Sequence, residues 1–306
     1  MIVPLLNLYR LFRELTPDCL LSYTIKPVIY GSIAAKVAGV PAIFSLITGL
    51  GYAFIGTGKL KRMLTSVVSV LYRFSLRFNR LVFFQNPDDQ HLFIKNQMVR
   101  DIDQTRLING SGVDLNHFSY RPLQDRQKEQ CFLLVARLLS DKGVREYVAA
   151  ARALKRKYPT SKFQLLGPLD TNPTSCQPQE LEAWQKEGTI EYCGVTTDVR
   201  SFLEAATVFV LPSYREGTPR SALEAMSIGR SVVTTDAPGC REVVINGQNG
   251  FLVPIKDHKS LATAMEQFIL NPKLAQQMGF ESRRIAEERF DVHQVNDFLL
   301  KQMGLK

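Results

Sequence analysis

The sequence is poor in the residues that build metal and disulfide frameworks. Its five cysteines (Cys19, Cys131, Cys176, Cys193 and Cys240) stand far apart with no C-x-x-C pair. Its four histidines (His91, His117, His258 and His293) share no spacing with one another or with carboxylates. Both patterns argue against a zinc site and against a disulfide scaffold, and they point to a reducing cytoplasm. The first residues, MIVPLLNLYRLFRELTPD, do not read as a signal peptide, being apolar only briefly before Arg10, Arg13 and Glu14. There is no internal repeat and no low-complexity tract. Charge is missing from Val37 to Gly58, a stretch long enough to span a bilayer. Pro41 and the glycines at 39, 49, 51, 56 and 58 break it, so it reads as a buried strand and a tight loop. Asp101-Ile102-Asp103 has the spacing of a carboxylate metal clamp, yet it precedes a strand instead of ending one and reads as a surface turn.

What the chain does have is size, order and positive charge. Its 306 residues suffice for two domains with separate cores, and 45% hydrophobic with 22% charged residues is ordinary for a globular protein. The formal charge of +9 favours an anionic partner: nucleotide phosphates, a nucleic acid or an acidic membrane surface.

From Gln130 onward short apolar runs alternate with helical patterns: FLLVARL, FQLLG, TIEYCG, TVFVLPS and SVVTTD as strands, with helices between them. Continuous apolar strands separated by helices predict βα units around a parallel sheet covered on both faces. The first part repeats the pattern less regularly, with DCLLSYT, PAIFSLITG, RLVFF and TRLING as strands. Polar PLQDRQKEQ (122–130) reads as the linker between the two.

Ligands of open α/β sheets bind at the carboxyl ends of strands, where helix N-termini offer free N–H groups. Two loops carry suitable chemistry there. ARLLSDKG places Arg137 and Lys142 beside a helix start, which suits a diphosphate or, equally, a solvated loop. PSYREGTPRSALE places Glu216 at a strand end and Glu224 two turns into the next helix, with Gly217 permitting close backbone approach and Pro219 suiting a first helical turn. Two carboxylates so placed could accept hydrogen bonds from sugar and ribose hydroxyls. A helix-dipole acid and a solvated helical residue would look the same, so the pair alone does not decide.

The surrounding sequence is more specific. VFVLPSYREGTPRSALEAMSIGRSVVTTDAPGCREVVINGQNGFLVP, together with VARLLSDKG and LINGSGVDLNHF, resembles the donor-site signature of glycosyltransferase family 4. SYTIKPVIYGSIAAKVAGVPAIFSLITGLGYAF is similar to its bacterial surface-polysaccharide branch. The resemblance implies an α/β protein of two Rossmann-like domains facing each other (GT-B), the N-terminal one shortened, with 1–121 on the acceptor side, 122–290 binding the nucleotide sugar and 291–306 crossing back. It implies a retaining transferase that needs no metal or other cofactor. The enzyme would move a hexose or N-acetylhexosamine from a UDP-sugar to a polyprenyl-diphosphate-linked saccharide in O-antigen, capsule or exopolysaccharide synthesis. It would work on the inner face of the cell membrane, without nucleic acid. A nucleotide-sugar 2-epimerase, a non-catalytic nucleotide-sugar-binding subunit and a truncated inactive form remain alternatives. Residue by residue, Arg137 and Lys142 match the diphosphate pair and Glu216 the acid on the donor sugar. The backbone of Gly217, Thr218, Pro219 and Arg220 matches the sugar–phosphate cradle, Glu224 the ribose acid, and Tyr192 to Val195 the nucleobase loop. Thr48 stands where many members carry a histidine, and nothing before Pro17 looks like the family's first strand and glycine loop.

Lys59 to Arg80 reads as an amphipathic helix, with Leu60, Leu64, Val67, Leu71, Phe74 and Phe78 on one face and Lys59, Arg62, Arg73, Arg77 and Arg80 opposite. The apolar face would pack on the sheet. The basic one would be solvated or would dock on anionic lipid.

Overall fold

The apolar runs form two separate all-parallel sheets. A computed structural model describes residues 2–50, 58–123, 129–172 and 174–306. The chain divides into a first unit, Met1–Ser111 with Glu216–Thr218 and Val295–Lys306, and a second, Gly112–Arg215 with Pro219–Gln294. The first border falls ten residues before the expected 121/122 boundary, at 111/112. Val113 and Phe118 pack in one cluster with Phe209, Leu223 and Ile285, which ties them to the second unit. Of the expected linker, residues 124–128 lie outside the described residues.

In the first unit the strands β1 (Cys19–Tyr23), β2 (Ala42–Ile47), β3 (Leu81–Phe84) and β4 (Thr105–Leu107) pair in chain order. Every residue of β2 is buried, as a strand covered on both faces requires. Helices α1 (Ile2–Leu15), α2 (Ile25–Ala38), α3 (Lys59–Leu76) and α4 (Pro87–Lys95) complete it. α1, which the sequence reading left unassigned, packs Phe12 against Ala34, Ala35 and Ile43. A polar link crosses the layer: Ser45 Oγ donates to Asn79 Oδ1 at 2.7 Å, and Asn79 Nδ2 donates to Ser32 Oγ at 2.9 Å. All three groups are buried and satisfied, which fixes α2 and the end of α3 over β2. Gly51 and Gly56, read as part of a tight loop, lie outside the described residues.

α3 corrects the sequence reading. Val68, Tyr72, Ser75 and Leu76 are its buried side, with Tyr72 edge-on to Phe93 at 4.9 Å. Leu64, Val67 and Phe74, expected on the sheet, are 41%, 53% and 44% exposed. Arg73 is not a bare surface cation. Its Nε and Nη2 donate to the Gln97 and Asn96 carbonyls at 2.9 and 2.8 Å, closing the C-terminus of α4. Arg80 donates to the Pro41 carbonyl at 3.1 Å. The side chains of Lys59 and Leu60 lie outside the described residues.

The second unit carries β5 (Cys131–Val135), α5 (Val144–Lys157), β6 (Lys162–Leu166), α6 (Pro178–Lys186), β7 (Glu191–Tyr192), α7 (Arg200–Ala205), β8 (Val208–Leu211), α8 (Arg220–Ile228), β9 (Ser231–Thr235), β10 (Gly250–Val253), α9 (His258–Leu270) and α10 (Pro272–Arg289). Its strand order is β10-β9-β8-β5-β6-β7. The sequence reading found five of these six strands and missed β10, whose two central residues, Phe251 and Leu252, are only half-buried. α11 (Val292–Met303) follows; its Leu299 and Met303 pack with Ala42, Phe44 and Phe83 of the first unit, to which Val295–Lys306 belongs.

Candidate functional site

In the second sheet β5 lies between β8 and β6, so the chain runs outward from β5 to one edge and then restarts beside it. A parallel sheet whose order reverses in this way opens a crevice at the carboxyl ends of the two strands at the switch. The loops there are those after β5 and β8; the first carries Arg137 and Lys142, and the second leads into α8, which carries Glu224.

The loop after β5 is held by its neighbours. Leu138 N–H donates to the Pro168 carbonyl at 2.9 Å, and Cys176 N–H donates to the Leu138 carbonyl at 2.8 Å. A short 3₁₀ turn, Ser140–Lys142, leads to Gly143 at φ 72°, where α5 begins. A Cβ at Gly143 would lie 2.1 Å from the Pro212 carbonyl oxygen, so only glycine lets the two switch-point loops meet. The Ser213 hydroxyl and the Tyr214 N–H both donate to the Asp141 carbonyl, at 3.0 and 2.8 Å. The Tyr214 hydroxyl donates to Glu146 Oε1 at 2.5 Å, and burial beside that carboxylate pushes the phenol well above its ordinary range. Arg137 and Lys142 therefore sit on a braced loop at a helix start, the geometry that receives anions.

Arg137 already holds a carboxylate, donating from Nη1 to Asp170 Oδ2 at 2.8 Å. Asp170 accepts from the Asn172 N–H as well, at 2.9 Å. That backbone bond, with the guanidinium second, holds its carboxyl below the usual range. The sequence reading missed Asp170; the Asp-x-Asn turn in LDTN is the only local signal of it.

Glu224 stands in the second turn of α8, nearer its start than the two turns expected. It is 9% exposed, and Arg220 donates from Nε to its Oε1 at 3.0 Å. Burial pushes its carboxyl above the usual range, and Arg220 pulls the other way. Pro219 is the N-cap of α8 at φ −71°, one place earlier than the first helical turn. The Tyr192 hydroxyl is turned into the wall, donating to the Gly167 carbonyl at 3.1 Å. Val195 is 65% exposed on the loop after β7. Cys193 beside it has its thiol raised to about 11 by burial.

Glu216, Gly217 and Thr218 group with the first unit. There the Thr218 N–H donates to Gln85 Oε1 at 3.2 Å, and its hydroxyl donates to the Gln85 carbonyl at 3.1 Å. Asn86 Nδ2 donates to the Gly217 carbonyl at 3.0 Å while its Oδ1 caps α4 through the Asp89 N–H. A Cβ at Gly217 would lie 2.3 Å from the Thr48 carbonyl oxygen. Gln85 and Asn86 were not foreseen, although N-P-D-D is a helix-start signature.

Asp101 Oδ1 accepts from the Gln104 N–H at 3.0 Å in the turn before β4, as a surface turn would. Among the described residues no cluster of three or more His, Cys, Asp or Glu could hold a metal ion. A cavity of about 1190 Å³ lined by Arg121, Glu204 and Arg230 lies at the other end of the sheet, before β8 and β9. Its Arg230 guanidinium is spent on the carbonyls of Leu203, Arg121, Gly229 and Glu204.

Comparison with known proteins bears on what these loops do. The family described as Glycosyl transferases group 1 matches residues 119–284, and Glycosyl transferase 4-like matches residues 2–86. The chain is 31% identical over 278 residues to the N,N'-diacetylbacillosaminyl-diphospho-undecaprenol alpha-1,3-N-acetylgalactosaminyltransferase of Campylobacter jejuni, covering 87% of this chain and 72% of that one. It is 27% identical over 272 residues to the UDP-Gal:alpha-D-GlcNAc-diphosphoundecaprenol alpha-1,3-galactosyltransferase of Escherichia coli, covering 85% and 68%. The crystal structure of Anabaena HepE in complex with UDP matches with a TM-score of 0.80 at 21% identity, over 98% of this chain and 81% of that one. That likeness shows a shared fold, of the GT-B class expected from the sequence.

Proposed function

Since the chain belongs to the group 1 glycosyl transferases and is a glycosyltransferase of the bacterial polysaccharide kind, we propose that its donor is a UDP-sugar and its acceptor a lipid-diphosphate-linked saccharide. The observations that carry this reading are the braced cationic loop, Arg137 to Gly143, after β5 and the buried Glu224 in the helix after β8, the two strands at the switch point of the second sheet. The names of the two relatives, each acting on a diphospho-undecaprenol saccharide, support the acceptor. HepE in complex with UDP supports the donor.

In this reading Glu224 accepts from the ribose diol, and Arg137, Lys142 and the N-terminus of α5 carry the diphosphate. Glu216 and the backbone from Gly217 to Arg220 face the hexose, and the loop from Tyr192 to Val195 receives the base. The bond from the anomeric carbon to the UDP oxygen breaks and a bond to the acceptor hydroxyl forms on the same face. The hydroxyl proton passes to the departing phosphate. Charge developing on that phosphate meets fixed cations and N–H groups, which is where preorganised electrostatics lowers a barrier. The reaction is expected to run without added divalent cation. The enzyme would work at the inner face of the cell membrane, since its acceptor is anchored there. Among the described residues no helix is long and apolar enough to cross a bilayer.

The test is a panel of UDP-sugars offered with undecaprenyl-diphosphate N-acetylhexosamine in EDTA-treated buffer, with products read by mass spectrometry. A hexose or N-acetylhexosamine added to the lipid is expected. Release of an epimerised nucleotide sugar, or no UDP binding at all, would refute the proposal.

A further inference from the structure

The second unit has a cavity for which the donor and acceptor have no use. It lies at the amino ends of the strands, opposite the crevice: Gln130, Thr207 and Arg230 directly precede β5, β8 and β9. Glu204 of α7 and the first turn of α10, with Lys273, also line it. Its volume of about 1190 Å³ is room for an organic ligand, far more than a bare ion fills.

Two buried groups on its wall lack the partner that their chemistry needs. Arg230 is 1% exposed, and its four hydrogen bonds all go to neutral carbonyls. They fix the guanidinium and neutralise none of its charge. The one acid among the described lining residues, Glu204, gives its carboxylate to Arg121 at 3.3 Å. Burial pulls the Arg230 guanidinium down to about 10, and the attraction of Glu204 offsets only part of that. A buried charge without a counter-charge is unfavourable, and an anion in the cavity would relieve it. Gln130 is the second group. It is 4% exposed, and its Oε1 accepts no hydrogen bond. A donor for that oxygen has to come from the space that Gln130 lines.

The rest of the wall agrees. Among the described lining residues three are cations, Arg121, Arg230 and Lys273, against Glu204 alone. The first turn of α10 brings the free N–H groups and the positive end of an 18-residue helix. The Arg121–Glu204 pair is 57% and 43% exposed, so it is weak and yields to a stronger anion. A phosphate monoester, with nearly two negative charges and three acceptor oxygens, suits such a wall better than a carboxylate does. The Gln130 oxygen calls for a hydroxyl on the same molecule. We propose that this cavity binds a phosphorylated sugar, its phosphate toward Arg121, Arg230 and Lys273 and a hydroxyl donating to Gln130. The site is separate from the donor crevice and does not depend on the transferase reading.

The experiment titrates the full chain with glucose-6-phosphate and glucose-1-phosphate in a calorimeter, with inorganic phosphate and glucose as the two halves of the ligand. A hexose phosphate should bind, phosphate more weakly, and glucose not measurably. Arg121→Gln/Lys273→Gln should weaken the hexose phosphate by roughly tenfold or more. Glu204→Gln, which removes the competing carboxylate, should strengthen it by roughly two- to fivefold. Gln130→Leu should lose the advantage of the hexose phosphate over phosphate, and it should melt no lower than the wild type, since an unpaired buried oxygen is gone. Arg230 itself is kept, because removing it would free four carbonyls and the fold would fail first. Arg137→Gln/Lys142→Gln, in the loop after β5, should bind the hexose phosphate as the wild type does. Binding lost in that variant and kept in Arg121→Gln/Lys273→Gln would put the phosphate in the donor crevice and overturn the proposal. So would no binding of either hexose phosphate, equal affinity for phosphate alone, or weaker binding in Glu204→Gln.

Discussion

Replacing Glu224 by glutamine should weaken UDP binding and leave the fold no less stable. Glu224 is 9% exposed and its carboxyl is raised by burial, with Arg220 offsetting part of that cost. A raised carboxyl binds its proton more tightly in the folded than in the unfolded chain. Its favourable contribution is therefore complete below the unfolded value and is lost as pH rises through the folded one. At neutral pH the ionised group costs stability, and a neutral glutamine side chain removes that cost while sacrificing the bond to Arg220. The melting temperature of the free protein should hold or rise by about 1–3 °C. Binding moves the opposite way. Two hydrogen bonds from a ribose diol to a carboxylate contribute about 1.5–3 kcal/mol each, and glutamine keeps one weaker acceptor. Glu224→Gln should lose ~1–2 kcal/mol, roughly 5- to 30-fold in UDP affinity, and Glu224→Ala should lose more. UDP affinity should also fall as pH drops through the Glu224 carboxyl. In Arg220→Ala, without its cation, that fall should begin at a higher pH. Titration calorimetry over a pH series descending from neutral would measure it. If Glu224→Gln bound UDP like the wild type, or if its affinity loss tracked a drop in melting temperature, Glu224 would not be the ribose acceptor.

Three further outcomes follow from the same geometry. Glu216→Gln should cripple transfer while changing UDP affinity little, because a group facing the reacting sugar acts on the transition state and not on the nucleotide; equal loss of UDP affinity in Glu216→Gln and Glu224→Gln would contradict that division. Arg73→Gln should lower stability by about 1–2 kcal/mol by freeing the carbonyls of Asn96 and Gln97, whereas Arg62→Gln should leave the melting curve unchanged. Gly143→Ala should destabilise the second unit by about 2 kcal/mol or more and abolish UDP binding, since its methyl would meet the Pro212 carbonyl at 2.1 Å and φ is 72°; a soluble variant that bound UDP normally would show that the two loops separate freely.

Much of the fold was legible because parallel strands are buried on both faces and so read as unbroken apolar runs. β2, β8 and β9, with no residue outside the buried class, were the plainest. β10 escaped because an edge strand of four residues carries only half that signal. The order β8-β5-β6 was not legible, since pairing between distant strands leaves no local trace, although it defines the crevice. Of the site, Arg137, Lys142 and Glu224 could be found from loop chemistry and resemblance. Asp170 and Asn86 could not, because each matters through a partner 33 or 131 residues away.

The misreading of α3 has a physical cause that generalises. Periodicity detects an apolar face but assumes there is one. The row read from the sequence, Leu60 to Phe78, runs between two real rows, and it took residues from the exposed one because the buried one contains Ser75 and Asn79. Those polar residues are buried because they are bonded: Asn79 to Ser45 and Ser32, and Ser75 to the Tyr72 carbonyl at 3.2 Å. A core-facing stripe with satisfied polar groups thus looked less apolar than a solvent-facing stripe of Met63, Val67, Val70 and Phe74.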